Sequence, residues 1–244
     1  MKLYCIHLLI LIFPQAILGQ DNKSVFFSHL TTNDGLSQSY VNCILKDKYG
    51  FLWFGTEDGL NKYDGCKYKV FRNNPGNPKT IPNNSIMCLF EDKSGELWAG
   101  TTGGGITKYN RGDDSFTSYG GGAILCIYEN SDSILWVGTF HGLKVFDRKT
   151  RKIIPASSEK KQLAEIENLL TSSIYEDSHK NLWIVNSNGI FLFHEKSGIL
   201  RNIVYFRIPG SDPRISKFLR TGTDTFGQGP VAGCMLYVIS TIRL

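Results

Sequence analysis

Five side chains suited to sugar binding stand four or five residues after a tryptophan, next to a recurring glycine. They are Glu57, Asp58, Phe140, His141 and Asn188. An aromatic ring can cover the apolar face of a sugar, while carboxylate, imidazole and amide groups can bind its hydroxyls. We predict that these residues contact a ligand, and the alternative is that they are solvated turn residues.

No other set of side chains indicates catalysis or metal binding. His29, His179 and His194 show no metal-ligand spacing, and no nucleophile stands next to a base. The glycine runs at residues 103–105 and 120–122 do not join a strand to a helix, so they predict loops rather than a phosphate site. The sequence therefore predicts no catalytic residue, no metal and no cofactor.

Composition excludes further classes of protein. Lys and Arg number 27 against 22 Asp and Glu, and this scattered excess of +5 argues against a nucleic-acid partner. A hydrophobic fraction of 41% can form a sizeable core and argues against disorder. The 25 glycines and the 12% of aromatic residues favour short strands and turns over helix bundles.

The elements that must position the five side chains are repeats centred on the tryptophans. All four tryptophans of the chain, 45, 38 and 47 residues apart, share one local pattern: Trp53, Trp98, Trp136 and Trp183. An acidic or amide residue stands six positions before each of them: Asp47, Asp92, Asn130 and Asp177. Glycines recur two and six positions after Trp: Gly55, Gly100 and Gly138, then Gly59, Gly104, Gly142 and Gly189.

Each unit predicts four antiparallel strands. The Asp opens a turn that a Gly completes three residues before Trp, and Leu-Trp begins the second strand. Ser133 and Lys180 replace that Gly in the last two units, so we expect another turn conformation there. Gly two residues after Trp lets a neighbouring group approach closely, and the later Gly marks a second tight turn. First strands are predicted near residues 41–46, 86–91, 124–129 and 172–176.

Units of four strands at this period are the blades of a β-propeller. The predicted fold class is all-β, a partial propeller with blades at residues 41–80, 81–122, 123–167 and 168–206. An N-terminal strand segment at 20–40 precedes them, and the start of a fifth blade at 207–228 follows. Residues 157–170 predict a short helix or turn in a connection. An arc of four blades should leave two apolar end faces uncovered.

The turns that carry the five candidate residues join the second and third strands of their units. In a propeller these turns lie at the same end as the links between blades. Some propellers are enzymes, so an enzyme such as a lyase remains an alternative that fold alone does not exclude.

Three cysteines occupy one repeat position, ten residues before Trp on the first strand: Cys43, Cys88 and Cys126. Free cysteine behaves as a small apolar residue in protein cores. We predict three buried thiols, and a disulfide between neighbouring inner strands is the alternative.

Residues 1–19 have the composition of a secretory signal peptide. Lys2 precedes an apolar run at residues 6–13, and the small residues Ala16 and Gly19 follow. The run is short for a membrane span, although an uncleaved anchor is the alternative. We predict cleavage near Gly19 and an exported, periplasmic protein.

The first unit, residues 47–63, reads Asp-x-x-Gly-x-Leu-Trp-x-Gly-Thr-x-x-Gly-Leu-x-x-Tyr, which resembles the two-component regulator propeller repeat. Residues 26–41 are similar to the segment that follows the signal peptide in that family. The resemblance covers residues 25–206. It implies the N-terminal periplasmic sensing region of a hybrid two-component sensor histidine kinase, whose full-length relatives are anchored in the inner membrane.

The resemblance also implies a ligand and partners. It implies an oligosaccharide ligand and, as partners, the remaining blades and sensor domains of a full-length protein, with a homodimer left open. We expect ligand sensing without output activity, because no kinase motif follows the repeats. A protein-interaction scaffold is the alternative function.

The end of the sequence departs from the repeat. Leu-Trp is due at positions 229 and 230 of a fifth unit, but Gly229 and Pro230 stand there. We therefore expect a truncated sensor and take residues 229–244 as an aberrant, out-of-frame tail. An insertion loop in a genuine fifth blade is the alternative.

Overall fold

The computed structural model describes residues 29–205, so the predicted signal peptide, fifth unit and tail lie outside the described residues. Within that range the chain forms four antiparallel sheets of four strands, each paired in sequence order. The first blade contains β1 (Val41–Lys46), β2 (Leu52–Thr56), β3 (Gly59–Tyr63) and β4 (Tyr68–Phe71). The second contains β5 (Ile86–Glu91), β6 (Leu97–Thr101), β7 (Ile106–Asn110) and β8 (Ser115–Tyr119). The third contains β9 (Ile124–Glu129), β10 (Leu135–Thr139), β11 (Gly142–Asp147) and β12 (Lys152–Pro155). The fourth contains β13 (Thr171–Glu176), β14 (Leu182–Asn186), β15 (Gly189–His194) and β16 (Ile199–Tyr205).

These sheets confirm the predicted all-β fold. The first strands begin at the predicted residues in three blades and one residue earlier in the fourth. The predicted short helix or turn at 157–170 corresponds to two 3-10 segments, Ala156–Ser158 and Lys161–Glu165.

The segment before the first blade is not a strand over residues 29–40, contrary to the sequence prediction. A 3-10 turn at Thr32–Asp34 is closed because the Thr31 backbone N–H and hydroxyl both donate to the Asp34 carboxylate. Gly35 then ends the turn with a φ of 109°. This capping arrangement satisfies backbone groups that a strand would leave for a neighbour.

The two end faces are less exposed than predicted, and the first-blade face remains uncovered at Ile44, which is 64% exposed. At the first blade, Leu36 is buried and the Ser37 N–H donates to the Asn61 side chain, so this segment covers part of that face. At the fourth blade, four apolar side chains are each at most 3% exposed: Trp183, Val185, Ile190 and Leu192.

The turns between first and second strands share one conformation in all four blades. Gly50 and Gly95 have positive φ as expected, and Ser133 and Lys180 adopt φ values of 64° and 66°. The expectation of a different turn in the last two blades is therefore wrong. The preceding Asn130 or Asp177 accepts backbone N–H groups as Asp47 does, and these bonds hold a non-glycine residue in the left-handed region.

In three of the four blades the aspartate that forms this turn also accepts a hydrogen bond from the tryptophan six residues later. The indole N–H donates to the carboxylate at 2.9 Å in the Trp53–Asp47 and Trp98–Asp92 pairs, and at 3.1 Å in the Trp183–Asp177 pair. In the third blade Asn130 replaces the aspartate, and the buried Trp136 N–H has no hydrogen-bond partner among the described residues.

Each of the first three tryptophans packs against the following blade. Trp53 meets Tyr109 edge-on at 4.8 Å between ring centroids, and Trp98 lies 5.2 Å from Phe146. Trp136 lies in an apolar cluster with Ile184 and Phe193 of the fourth blade. Such burial of aromatic rings is a large favourable contribution to the stability of the junctions.

An arginine from the following blade completes the polar contacts at the first two junctions. Arg111 donates to Asp47 at 2.7 Å and to Glu91 at 3.3 Å. Arg148 repeats this one blade later, with Asp92 at 2.9 Å and Glu129 at 3.0 Å. We call each set of Asp, Trp, Arg and Glu an interblade clamp.

The clamp sets the charge state of its aspartates. Burial alone would raise the pKa of Asp47, but hydrogen bonds from the Trp53 indole and the Arg111 guanidinium hold it below its ordinary value. The pKa of Asp92 is lowered in the same way against its burial, by Trp98, a backbone N–H and Arg148.

Glycine two residues after Trp is required by contacts on both sides. A Cβ at Gly100 would lie 2.5 Å from Cys88 Sγ and 2.8 Å from Ile124 Cγ2 of the next blade. Gly55 has the same surroundings, with Cys43 and Ile86. The expected close approach of a neighbouring group to these glycines is confirmed. At Gly55 and Gly100 the approaching groups are cysteine and isoleucine side chains rather than an aromatic ring.

The cysteines fill the space beside these glycines. Cys43, Cys88 and Cys126 are free, half-buried thiols, so the disulfide alternative does not hold among the described residues. Burial raises the pKa of Cys43 and of Cys126 to about 12, which keeps these thiols protonated.

We predict that Gly100→Ala lowers the free energy of unfolding by about 1–3 kcal/mol, because the added methyl overpacks the contact with Cys88 and Ile124. Urea denaturation measures the change. Gly112→Ala is the matched control, since nothing lies within 4 Å of a Cβ at that position. Equal effects of the two substitutions would contradict the packing argument.

We also predict that acid weakens the clamp. A carboxylate with a depressed pKa in the folded state stabilises the fold fully above its unfolded pKa of about 3.9, and that stabilisation is lost as the pH falls through the folded pKa. Asp92→Asn should therefore reduce the loss of unfolding free energy between pH 6 and pH 3. Asp132→Asn, at an exposed carboxylate outside the clamps, is the control for the replacement itself, and an equal change in both variants would contradict the clamp argument.

Candidate ligand-binding end of the propeller

The turns between second and third strands lie beside the links between blades, as predicted. The Gly59 N–H donates to the carbonyl of Asn84 in the first link. The Thr102 N–H donates to Ser85, and the Ser187 N–H donates to Leu170, at the ends of two links. We call this end of the molecule the turn end. The interblade clamps lie at the opposite end.

A buried side chain shapes each of these turns. The Thr56 hydroxyl accepts the Asp58 N–H and donates to the Gly59 carbonyl, and Thr139 does the same for His141 and Gly142. In the fourth blade the Asn186 side chain accepts the Asn188 N–H. These bonds fix the backbone that carries the five candidate residues.

One structural glycine is misplaced by the sequence alignment. Gly59, Gly142 and Gly189 have positive φ, but the corresponding residue of the second blade is Gly105, with a φ of 75°, rather than Gly104. The second blade has one additional residue in this turn, and the Thr101 hydroxyl lies within hydrogen-bond distance of the Gly105 carbonyl.

The five candidate residues lie on three blades. Glu57 is exposed, while Asp58 forms an ion pair with Arg72 at 2.9 Å, so its carboxylate is already engaged. Phe140 is 50% exposed, and the neighbouring His141 is also exposed. Asn188 is exposed on the fourth blade. The turn of the third blade therefore places an aromatic ring and an imidazole together in solvent.

The two glycine runs meet beside this turn. The Gly105 N–H donates to the Gly122 carbonyl at 3.0 Å, and Gly104 pairs with Gly122 in a parallel bridge. The link at residues 120–123 is short compared with those at 72–85 and 156–170. Thr139 pairs with Ile124, so Phe140 follows directly beside this short link. Loops are confirmed for both glycine runs.

A cavity of about 420 Å³ lies elsewhere, between the outer strands of the first two blades. Arg72, Lys79, Asp113 and Phe116 are among its lining residues. None of the five candidate residues lines it. Sequence reasoning did not identify this cavity, because it forms where the link at 72–85 passes between two blades.

Sequence reasoning also missed the clamp arginines. Arg111 and Arg148 both stand two residues after the aromatic residue of the third strand, Tyr109 or Phe146. That shared position was the available signal. Their partners on the preceding blade become visible only in three dimensions.

No group of three or more His, Cys, Asp or Glu side chains within residues 29–205 is arranged to hold a metal ion. No helix there has the length and apolar character needed to cross a membrane.

Among solved structures, the extracellular domain of a protein described as a hybrid two-component system from B. thetaiotaomicron is similar, with a TM-score of 0.54 and 21% identity. The match covers 70% of this chain and 25% of that one. A gluconolactonase from Xanthomonas campestris matches with a TM-score of 0.51 and 12% identity, over 69% of this chain and 63% of that one. At these identities the similarity shows the propeller fold alone.

The sequence matches cover a smaller part of the chain and indicate a family. A histidine kinase of Formosa agariphila is 50% identical over 64 residues, which are 26% of this chain and 5% of that protein. The family model for the two-component regulator propeller matches residues 35–58, 80–103 and 118–141. In each of the first three blades the match covers the residues before the first strand, the first two strands and the start of the following turn. The chain therefore contains repeats of the two-component regulator propeller family, folded as consecutive blades of a β-propeller.

Proposed function

We propose that this chain is a periplasmic sensing propeller of a hybrid two-component system and that it binds an oligosaccharide. The observation that carries the first part is the set of three family repeats, together with the 50% identity to a histidine kinase. Because the matched segment is 5% of that kinase, signalling output belongs in this proposal to other parts of such a protein. The predicted signal peptide and the extracellular origin of the similar domain support the export that we propose.

The ligand is assigned to the turn end because that end presents polar side chains and a solvent-exposed ring. Phe140 offers an apolar surface for a sugar ring, and His141 offers hydrogen bonds to hydroxyls. The short link at 120–123 leaves this side of the third blade without the longer links found at the other two junctions. In this proposal Glu57 of the first blade and Asn188 of the fourth supply further polar contacts at the same end.

Asp58 has a supporting role in this proposal. Its ion pair with Arg72 anchors the first-blade turn, so it orients Glu57 rather than meeting the ligand directly. Both partners are about half-exposed, and such a pair contributes at most about 1 kcal/mol to stability.

Binding of oligosaccharides tests the proposal. The full chain is screened by calorimetry against purified neutral, uronic and sulfated oligosaccharides. We expect at least one to bind and Phe140→Ala/His141→Ala to weaken that binding by about tenfold, which corresponds to about 1.4 kcal/mol.

Thr102→Ala, on the corresponding exposed turn of the second blade, is the matched control and should keep the affinity. Unchanged binding by the double variant would remove Phe140 and His141 from the site. Absence of oligosaccharide binding, together with a co-purifying periplasmic protein, would favour the interaction scaffold instead.

A further inference from the structure

The cavity between the outer strands of the first two blades has a well-ordered wall. Part of its lining comes from the link segment at residues 72–81, whose backbone is restricted by two prolines. The Thr80 hydroxyl in this segment donates to the Asn77 carbonyl at 2.9 Å. The Phe116 N–H of the second blade donates to the Lys79 carbonyl at 2.8 Å, which ties the segment to β8. A wall that is already ordered needs little rearrangement to bind a small molecule.

The inner surface of this cavity is apolar. Phe71, Ile81 and Phe116 line it, and each of them is at most 8% exposed. The rings of Phe71 and Phe116 meet edge-on, with 5.3 Å between their centroids. The volume of about 420 Å³ falls within the range of about 300–1,000 Å³ that is usual for small-molecule sites. The cavity therefore suits a small ligand with an apolar group.

Two opposite charges stand at the rim of the cavity, Lys79 on the link and Asp113 on the turn between β7 and β8. Their side chains are 75% and 55% exposed, and the distance of 4.0 Å between ammonium and carboxylate is long for an ion pair. The other carboxylate of this turn, Asp114, is already paired with Lys69. Lys79 and Asp113 are therefore the lining charges that remain most available to a ligand.

The lining also offers hydrogen-bonding groups that are not yet used. Asp113 accepts the hydroxyl and the N–H of Ser115 with one oxygen, Oδ1, and leaves Oδ2 to the distant Lys79. The Ser115 bonds lower the pKa of Asp113, so this carboxylate is charged at neutral pH. Arg72 donates to Asp58 through Nε and Nη2, while its Nη1 has no hydrogen-bond partner within residues 29–205.

We propose that this cavity binds an α-amino acid with an apolar side chain, in its zwitterionic form. The ammonium of the ligand pairs with Asp113, and its carboxylate pairs with Lys79 and Arg72. Its side chain lies against Phe71 and Phe116. Because an amino acid carries both charges on one carbon, it can meet the two rim charges at once, through charge-assisted hydrogen bonds. This site is separate from the turn end and does not depend on the proposed binding of sugars.

The rim charges distinguish an amino acid from other small ligands. A neutral sugar offers no charge to either Lys79 or Asp113. A uronic acid matches Lys79 but brings a second carboxylate towards Asp113, and a simple amine brings a second cation towards Lys79. Like charges at short distance are unfavourable. A zwitterion avoids both repulsions and pairs with both side chains.

Calorimetry of the full chain with L-leucine, L-methionine and L-phenylalanine tests the proposal. We expect at least one of them to bind. The amide of that amino acid, which lacks the carboxylate, and its deaminated acid, which lacks the ammonium, should each bind about tenfold more weakly, since each loses a hydrogen bond between charged groups. Failure of all three amino acids to bind would overturn the proposal, as would equal binding of the amino acid and its two analogues.

Substitutions at the rim show whether these charges touch the ligand. Asp113→Asn should weaken binding of the amino acid about tenfold but should not weaken binding of the deaminated acid, because the repelling carboxylate is gone. Lys79→Met should weaken binding of the amino acid and leave that of the amide unchanged. A loss of protein stability alone would not produce this dependence on the analogue.

The chain contains a matched control for both substitutions. Lys180 and Asp132 form another exposed ion pair, at 3.7 Å, away from the cavity. Asp132→Asn and Lys180→Met should therefore keep the wild-type affinity for the amino acid. Equal losses of affinity in the rim and control variants would overturn the proposal, as would unchanged affinity in both rim variants.

Discussion

The hydrogen bond from the tryptophan indole to the aspartate six residues earlier controls both the inside of a blade and its junction with the next. In the first blade one carboxylate oxygen of Asp47 accepts the indole of Trp53 and the guanidinium of Arg111. The other oxygen accepts backbone N–H groups of the turn. A single buried side chain thus fixes the turn, orients the ring that packs on the next blade and receives that blade's arginine. This explains why the motif recurs so regularly.

The clamps occupy one end of the molecule only, and this has consequences for function. The first two turns at the clamp end are constrained by the arginine of the following blade as well as by their own hydrogen bonds. At the turn end each turn is shaped mainly by its own threonine or asparagine and by the adjacent link. Residues such as Phe140 can therefore vary without disturbing the packing of blades. Binding surfaces commonly use such loops on a rigid scaffold.

The sequence predicted the repeat, the four blades and the strand positions, because tryptophan, glycine and turn residues recur at spacings that only a few architectures satisfy. It failed where several residues together determine a conformation. Ser133 and Lys180 adopt the turn that their neighbours impose, and Gly105 rather than Gly104 takes the positive φ because one residue is added nearby. The candidate site was predicted only as positions on turns. The Asp58–Arg72 pair and the meeting of the two glycine runs depend on contacts between distant segments, which spacing does not encode.

The unpaired indole of Trp136 distinguishes it spectroscopically from the other tryptophans of the chain. Three indoles donate to a carboxylate, whereas the N–H of Trp136 is buried without a partner among the described residues. An indole proton bound to a carboxylate and one in apolar surroundings resonate at different frequencies in a nuclear magnetic resonance spectrum. Since each blade contributes one tryptophan, the molecule contains a natural label for every blade. Opening of a single junction could be followed in solution through the signal of its own ring, without attaching any probe.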